Sequence, residues 1–302
     1  MSHPRVAVVV PVYNAIEATT RFLRAFRDVR YPNYSIIIVD DGSTDGTSGV
    51  VARGFPEVIL LRGSGELWWS GATNAGVVFA QNHGFDFVLT INNDAQMEPT
   101  FLDYLVATAE SRPRHIVGSR INFLEPSDKV WAVGGYMDWP TGRIFQLHDH
   151  GKDEHDVLAL RTNPVQVEIL TGCGTLVPIA CFREVGLYDE RWFPQYHGDS
   201  EFVLRAARRG YRAVVDLRAV VYNDASHSCG ATCATRREVI FARRSTHYWR
   251  PMLAIHARYC PWRYRLASIT QVYLPFFVGR WAWARTVRRR LLERRAKLAR
   301  AG

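Results

Sequence analysis

The sequence predicts an open, doubly wound α/β sheet, mostly parallel and flanked by helices, with a basic helical extension at its C-terminus. Three observations predict it. Continuous apolar runs alternate with helically spaced segments over roughly the first hundred residues, the pattern of parallel strands buried on both faces. Polar residues gather where three of those runs end, at Tyr13-Asn14, Asp40-Asp41 and Asn92-Asn93-Asp94. After Arg236 the composition shifts to Arg, Trp and Tyr.

Each element has its own warrant. "RVAVVVPVYN" is a continuous apolar run and reads as a buried strand. Phe22, Leu23 and Phe26 then recur on one helical face. "SIIIVDDGSTDGT" is a second strand that breaks into an acidic, glycine-bearing turn. A short helix is expected over 48–53, and "EVILLR" is a third strand. "GSGELWWSGATNAGV" places Trp68-Trp69 in a glycine-flanked loop, and "NAGVVFAQNHG" follows as a helix stopped by Gly84. "FDFVLTI" is the next strand, and "RIFQLHDHGKDEHD" reads as a polar surface loop. "VQVEILTGCGTLVPIACFREVG" combines a strand, a glycine turn and a helix start. "GDSEFVLRAARRGYRAVVD" is a helix, a Gly210 stop and a strand.

The 302 residues, 47% of them apolar, suffice for one large domain with an extension. The boundary falls at 235/236, with a nucleotide-binding half over about 1–100 and a second half over about 101–235. The net charge of +9 is uneven: residues 236–302 carry +15 and the rest −6. Such a tail favours an anionic partner: lipid headgroups, nucleic acid or phosphorylated substrates. With charge confined to the tail and no reader motif, a nucleic-acid partner is not expected. Five cysteines in a chain of this length argue against a disulfide framework. The N-terminal apolar run is short and enters a strand directly, so a cytoplasmic location is expected. The stretch 266–284 approaches the length of a membrane span, but Gln271, Pro275 and Arg280 interrupt it. An interfacial segment is expected there: the tail suits either a peripheral position at the inner face of the cell membrane or a solvated helix packed on the catalytic domain.

Ligands of doubly wound sheets sit beyond the carboxyl ends of the strands. The candidates there each have a plain alternative. Asp40 and Asp41 suit a base N–H or ribose hydroxyls, or an Asp-Gly turn that caps a helix through Ser43 or Thr44. Asn92, Asn93 and Asp94 suit a hard cation such as Mg2+ or Mn2+ completed by phosphate oxygens, or an Asx turn. Asp199 suits a general base, with Glu201 in support, or a carboxylate favoured at a helix start. Trp68 suits stacking on a sugar or base, or core packing. Asn74 and the backbone near Gly71 suit phosphate at a helix start. Thr171, Gly172 and Cys173 suit close approach to a ligand, or a tight turn. His227 suits the same divalent ion or a phosphate; its spacing to Cys229 and Cys233 is not that of a structural zinc site.

Together these segments resemble the family 2 glycosyltransferases of GT-A fold. "VVVPVYN", "IIIVDDGSTDGT", "NAG", "INND", "LTGCGTLVPIACFREVGLYDE" and "HGDSEFVLRAARRGY" appear in the family's order and cover about residues 5–230. The resemblance implies an inverting, metal-dependent transfer of a sugar from a nucleotide-diphosphate donor to a glycan or lipid-linked acceptor. It implies base and ribose contacts at Pro11, Tyr13, Asn14, Asp40 and Asp41, and ribose at Asn92. The family's metal motif keeps only its last carboxylate, so Asp94 inherits the ion. The family's Glu-Asp motif falls on Gly198-Asp199, which leaves Asp199 as the base. The family's later metal-binding His falls within 223–227, on His227 or in place of it Asn223. The arginine that precedes the "N-x-G" helix is replaced by Ala72-Thr73. "LWWSGATN" and "YHGDSEF" look similar to rhamnosyltransferase-like members that act on bacterial surface polysaccharides. The rival readings are a nucleotidyltransferase acting on sugar phosphates, or a basic nucleic-acid or membrane-binding protein.

Overall fold

The computed structural model describes residues 3–224 and 236–278. His227 and the stretch beyond 278 therefore lie outside the described residues.

One mixed sheet organises the chain. Its strands are β1 (Val6–Val12), β2 (Tyr34–Asp40), β3 (Ile59–Arg62), β4 (Phe87–Thr90), β6 (His115–Phe123), β10 (Val165–Val167), β11 (Thr175–Pro178) and β12 (Arg212–Asn223), in the order β10-β12-β6-β11-β4-β1-β2-β3. Two short strands, β5 (Gln96–Met97) and β7 (Val130–Ala132), pair with β12 and β6. The run β4-β1-β2-β3 is parallel, and β6 pairs β12 in parallel. Between these blocks β11 runs antiparallel to both neighbours, β4 and β6. The predicted mostly parallel, helix-flanked sheet is what forms.

Two apolar layers cover the sheet. One holds Val8 and Val10 of β1 against Phe22 and Phe26 of α1 (Ile16–Phe26) and Phe101 and Leu105 of α4 (Phe101–Ser111). The other holds Ala7 and Val9 against α3 (Trp68–Asn82), α6 (Ile179–Val185) and α7 (Gly198–Ala207). Strand side chains alternate between faces and both faces are covered, which is why β1 is apolar throughout and buried at every position but one. Gly76 lets α3 approach β1: a Cβ there would stand 2.9 Å from a Val9 methyl. A short helix α2 (Thr47–Gly54) follows β2, close to the span expected.

Two expectations are corrected. Trp68 and Trp69 do not sit in a loop; α3 begins at Trp68. The polar stretch after 142 is not a loop but a strand, β9 (Arg143–Leu147), paired with β8 (Gly135–Asp138), and then a short helix α5 (Glu154–Leu160). Its polarity is deceptive because Ile144 is buried, and the Asp149 carboxylate is buried under Arg161 at 3.0 Å and Lys152 at 2.8 Å.

Beyond 235 come α8 (Arg236–Phe241), α9 (Trp249–Tyr259) and α10 (Trp262–Val278). A third apolar cluster joins Met252, Ile255 and Val272 of α9 and α10 to Trp139, Ile144, Phe193 and Leu204. These helices are thus packed against the sheet-bearing part of the chain. Among the described residues, no helix is long and apolar enough to cross a membrane.

Candidate active site at the carboxyl ends of the strands

The site starts with three strand ends. At the end of β1, Asn14 is tied to the loop after β2: its N–H donates to Ser43 Oγ at 2.8 Å and its Oδ1 accepts from the Thr44 N–H at 2.8 Å. Its neighbour Tyr13 stays 48% exposed, with its ring available at the mouth of the site. Pro11 lies within β1, in register with Val39.

Asp40 and Asp41 are both buried at the end of β2. Asp40 accepts from the Ser43 N–H at 2.9 Å and from the Ser48 hydroxyl. Asp41 accepts from the Gly65 N–H at 2.8 Å and the Trp68 N–H at 2.9 Å. The acidic pair therefore shapes the two loops that frame the strand ends. The capping expected of Ser43 or Thr44 is absent. Near the start of α2 the side chain at work is Asp45, which accepts from the Thr47 N–H at 3.0 Å and, across the loop, from the Ile16 N–H at 3.1 Å.

At the end of β4 the three polar residues diverge. Asn92 Oδ1 accepts from Trp69 Nε1 at 3.2 Å. Asn93 turns to α1 and donates to Thr19 Oγ1 at 2.9 Å. Asp94 lies close enough to Cys173 for its charge to act on that thiol. Burial, with Asp94 adding to it, pushes the Cys173 thiol up to about 12, against the pull of the Asn92 N–H. The sulfur is accordingly a neutral thiol at neutral pH.

The loop 170–174 precedes the reversed strand β11, so it arrives at the edge where β4 and β6 end. Thr171 stays within this loop, its hydroxyl on the Cys173 carbonyl at 3.3 Å. Gly172 lies flat on the Trp69 indole: a Cβ there would come within 2.6 Å of a ring carbon. Its N–H donates to Asp199 Oδ2 at 2.6 Å. Asp199 stands in the first turn of α7, with the Ser200 N–H on Oδ1 at 2.7 Å. Burial raises its pKa above the ordinary carboxylate range, and the Ser200 and Gly172 amides pull it partly back. A continuous chain of contacts thus runs Asn92–Trp69–Gly172–Asp199, joining β4, α3, the loop and α7.

Three expectations are redirected. Glu201 does not support Asp199. Two residues on, it points to the far side of the helix, is fully buried, and meets Arg205 at 3.2 Å, Arg258 at 3.2 Å and the Tyr259 hydroxyl at 2.8 Å. Asn74 does not face a phosphate. Its amide closes on the Tyr188 backbone, at 2.9 Å in both directions, and on Glu190 at 3.0 Å. Nor is the start of α3 an open anion site. Its N–H groups already serve Asp41 from Trp68, Gln195 from Trp69, the Pro194 carbonyl from Ser70 and the Leu67 carbonyl from Gly71.

Sequence reasoning missed Gln195, His197 and the Arg243-Arg244 pair. Gln195 and His197 lie inside the quoted "FPQYHGD" but carry no signal of their own. His197 stacks on Phe145, rings 3.9 Å apart, and donates from Nε2 to the Thr246 carbonyl at 2.9 Å. Burial pushes its pKa down to about 4, so it is neutral. Arg243 and Arg244 lie over the Trp68 ring at 5.7 and 5.8 Å. Asn223 ends β12 and is buried.

A hard divalent cation takes oxygen ligands. Among the described residues no three His, Cys, Asp or Glu side chains gather to hold one. Among the described residues the donor set is a single carboxylate, Asp94, beside the Cys173 thiol. That chemistry fits Mg2+ or Mn2+ when diphosphate oxygens and water fill the remaining positions, and it does not fit zinc.

Comparison with known proteins gives this geometry its context. The model of the family "Glycosyl transferase family 2" matches residues 7–165. The chain is 25% identical over 276 residues to N-acetylglucosaminyl-diphospho-decaprenol L-rhamnosyltransferase of Mycobacterium tuberculosis, covering 82% of this chain and 87% of that one. It is 29% identical over 143 residues to undecaprenyl-phosphate mannosyltransferase of Micrococcus luteus, covering 46% of this chain and 54% of that one. Among solved structures, the mannosyltransferase PcManGT from Pyrobaculum calidifontis, in complex with GDP-Man and Mn2+, superposes with a TM-score of 0.57 at 18% identity, covering 100% of this chain and 77% of that one. TarS of S. aureus superposes with a TM-score of 0.53 at 15% identity, and the aligned part is 73% of this chain and 36% of TarS. At these identities the superpositions speak for the fold. The sequence matches favour glycosyl transfer over the nucleotidyltransferase and nucleic-acid readings.

Proposed function

The chain belongs to glycosyl transferase family 2, and from that premise we propose that it is an inverting enzyme. It moves a sugar from a nucleotide-diphosphate donor to a hydroxyl of a lipid-linked glycan in cell-envelope polysaccharide synthesis. The acceptor class is suggested by the relatives, a diphospho-decaprenol rhamnosyltransferase and an undecaprenyl-phosphate mannosyltransferase. One observation carries the mechanism: Asp199, with its pKa raised, is held by Gly172 against the Trp69–Asn92 pair beside Asp94.

Asp199 is the base. The Gly172 and Ser200 N–H groups each hold one of its oxygens, and the Ser200 hydroxyl bonds the carboxylate as well, which fixes its orientation. A carboxylate with a raised pKa accepts that proton more readily, and its seclusion limits competition from water. As the proton leaves for Asp199, the acceptor oxygen bonds to the anomeric carbon while the bond to the nucleotide diphosphate breaks on the opposite face. Configuration at that carbon inverts. Asp94 would hold the Mg2+ or Mn2+ ion, with His227 as a further ligand. When bound, the ion offsets the negative charge gathering on the leaving diphosphate. Tyr13 offers its exposed ring to the nucleoside, and Asp40 and Asp41 keep the two loops around it in place. Residues 1–235 form the catalytic domain and 236–302 an extension, with the donor held mainly by the first hundred or so.

Asp199→Asn tests the assignment. Transfer should fall by at least about a hundredfold, the usual worth of a general base, while donor binding by calorimetry persists. Wild-type turnover in that variant would remove Asp199 from the mechanism.

A further inference from the structure

The C-terminal helices carry apolar side chains that no described residue covers. On α9, Trp249, Leu253 and Ala257 are exposed at successive i, i+4 positions, which is a single stripe. On α10, Trp262, Leu266, Thr270 and Leu274 repeat the spacing. Trp262 is 86% exposed and Leu266 79%. Among the described residues nothing packs on these two stripes. The inward faces of both helices are already packed through Met252, Ile255, Cys260 and Val272. Arg265 of α10 donates to the Ala257 carbonyl at 3.2 Å, so the two stripes belong to adjoining helices.

Charge around the stripes has one sign. Residues 239–278 contain six arginines and neither Asp nor Glu. Two of them meet carboxylates of other elements, Arg258 at Asp189 (2.8 Å) and Glu201 (3.2 Å) and Arg243 at Glu66 (3.5 Å); among the described residues no ion pair is recorded for Arg244, Arg250, Arg263 or Arg265. The following segment, 279–302, adds nine basic residues against one acidic residue, together with Trp281 and Trp283.

We propose that the outer faces of α9 and α10 dock on an anionic lipid bilayer. Tryptophan favours the boundary between headgroups and acyl chains, leucine gains by leaving water, and arginine is attracted to anionic headgroups. A protein partner would be met by a rim of mixed charge around a core depleted of it. An acid-free, arginine-lined apolar stripe instead complements a continuous negative surface. The platform is tied to the chemistry: Arg258 and Tyr259 of α9 hold Glu201 of α7, and the Thr246 carbonyl holds His197 beside the base. The inference deepens the proposed function, because a lipid-linked acceptor lies in the same bilayer. Its test uses neither donor nor acceptor, so its failure would leave the transfer reading standing.

The test is flotation of the full chain with vesicles of phosphatidylcholine alone and of equal parts phosphatidylcholine and phosphatidylglycerol. The wild type should float with the mixed vesicles and far less with the neutral ones. Trp262→Ala with Leu266→Ala should weaken binding by about tenfold or more, the effect of losing two buried apolar groups. Arg263→Glu should weaken it by about fivefold or more, and added salt should do the same. Leu160→Ala, an equally exposed leucine on α5, should change nothing. All these side chains are exposed, so melting temperatures should match the wild type. Equal binding to both vesicle types would overturn the proposal, as would unchanged binding by the double variant. Self-association that the double variant abolishes would assign the face to a second copy of the chain instead.

Discussion

Replacing Gly172 by alanine perturbs the base without touching a titratable group. The new methyl would stand 2.6 Å from a Trp69 ring carbon, where ordinary contact needs about 3.5–4 Å. Relieving an overlap of that size costs about 1–3 kcal/mol, and the mobile party is the loop 170–174. The loop can retreat only by drawing the Gly172 N–H away from Asp199 Oδ2, now 2.6 Å distant. A hydrogen bond to a charged group contributes about 1.5–3 kcal/mol, and one pKa unit corresponds to about 1.4 kcal/mol. The carboxylate form loses that support, so the pKa of Asp199, already raised, should climb further by roughly one unit or more. The base is competent only when ionised, so activity on the acid side should be lost first. The assay is the pH profile of kcat/KM, whose acid limb reports the free enzyme's base. The limb of Gly172→Ala should move to higher pH by about one unit, and the Asp94-dependent response to Mn2+ should remain. An acid limb in the same place, with the variant folded and overall turnover unchanged, would refute the link between this loop and the base.

Asp94→Ala should lose most of the gain in donor affinity that Mn2+ gives the wild type; equal wild-type affinity with and without a chelator would count against an ion at this position. Glu201→Gln removes the buried charge that Arg205 and Arg258 face, and should cost about 2 kcal/mol of stability after allowance for the partial exposure of both arginines. Urea unfolding with an unchanged m-value reads that loss. His197 has a folded pKa of about 4 against an ordinary 6.5, so the unfolded chain takes up its proton first as pH falls. Its contribution to stability is present above about pH 6.5 and declines toward pH 4, by at most about 3 kcal/mol. His197→Phe should flatten that part of the stability profile; an identical slope in the variant would remove His197 as its source.

The sheet was legible because its strands are apolar at nearly every position, a pattern that burial on both faces imposes and little else explains. β9 and α5 were hidden by local polarity. There the decisive fact is Arg161 reaching back over twelve residues to a buried Asp149, and composition does not encode that contact. Within the site, Asp94 and Asp199 stood out as carboxylates at a strand end and a helix start. Their neighbours could not be read with the same ease. Asn74 and Asp41 carry the residue types of ligand contacts, but their polar atoms meet backbone groups that other segments bring to them. Glu201 was misdirected by closeness in sequence, since a two-residue step on a helix turns a side chain nearly to the opposite face. The Arg243-Arg244 contact with Trp68 spans more than half the chain, and no periodicity announces it.

The reversed strand β11 has a consequence for how the protein is made. β4 pairs with β1 as soon as the first ninety or so residues exist, but its other edge waits for Thr175–Pro178. At about 5–20 residues per second, ribosomal synthesis leaves that edge uncovered for roughly 4–17 seconds. An exposed apolar edge is a template for pairing with other nascent chains. The same strand carries in the loop that touches the base, so closing the edge and assembling the active centre are one event. A chain cut between the donor-binding half and the remainder should therefore yield an aggregation-prone fragment, not a smaller nucleotide-binding protein.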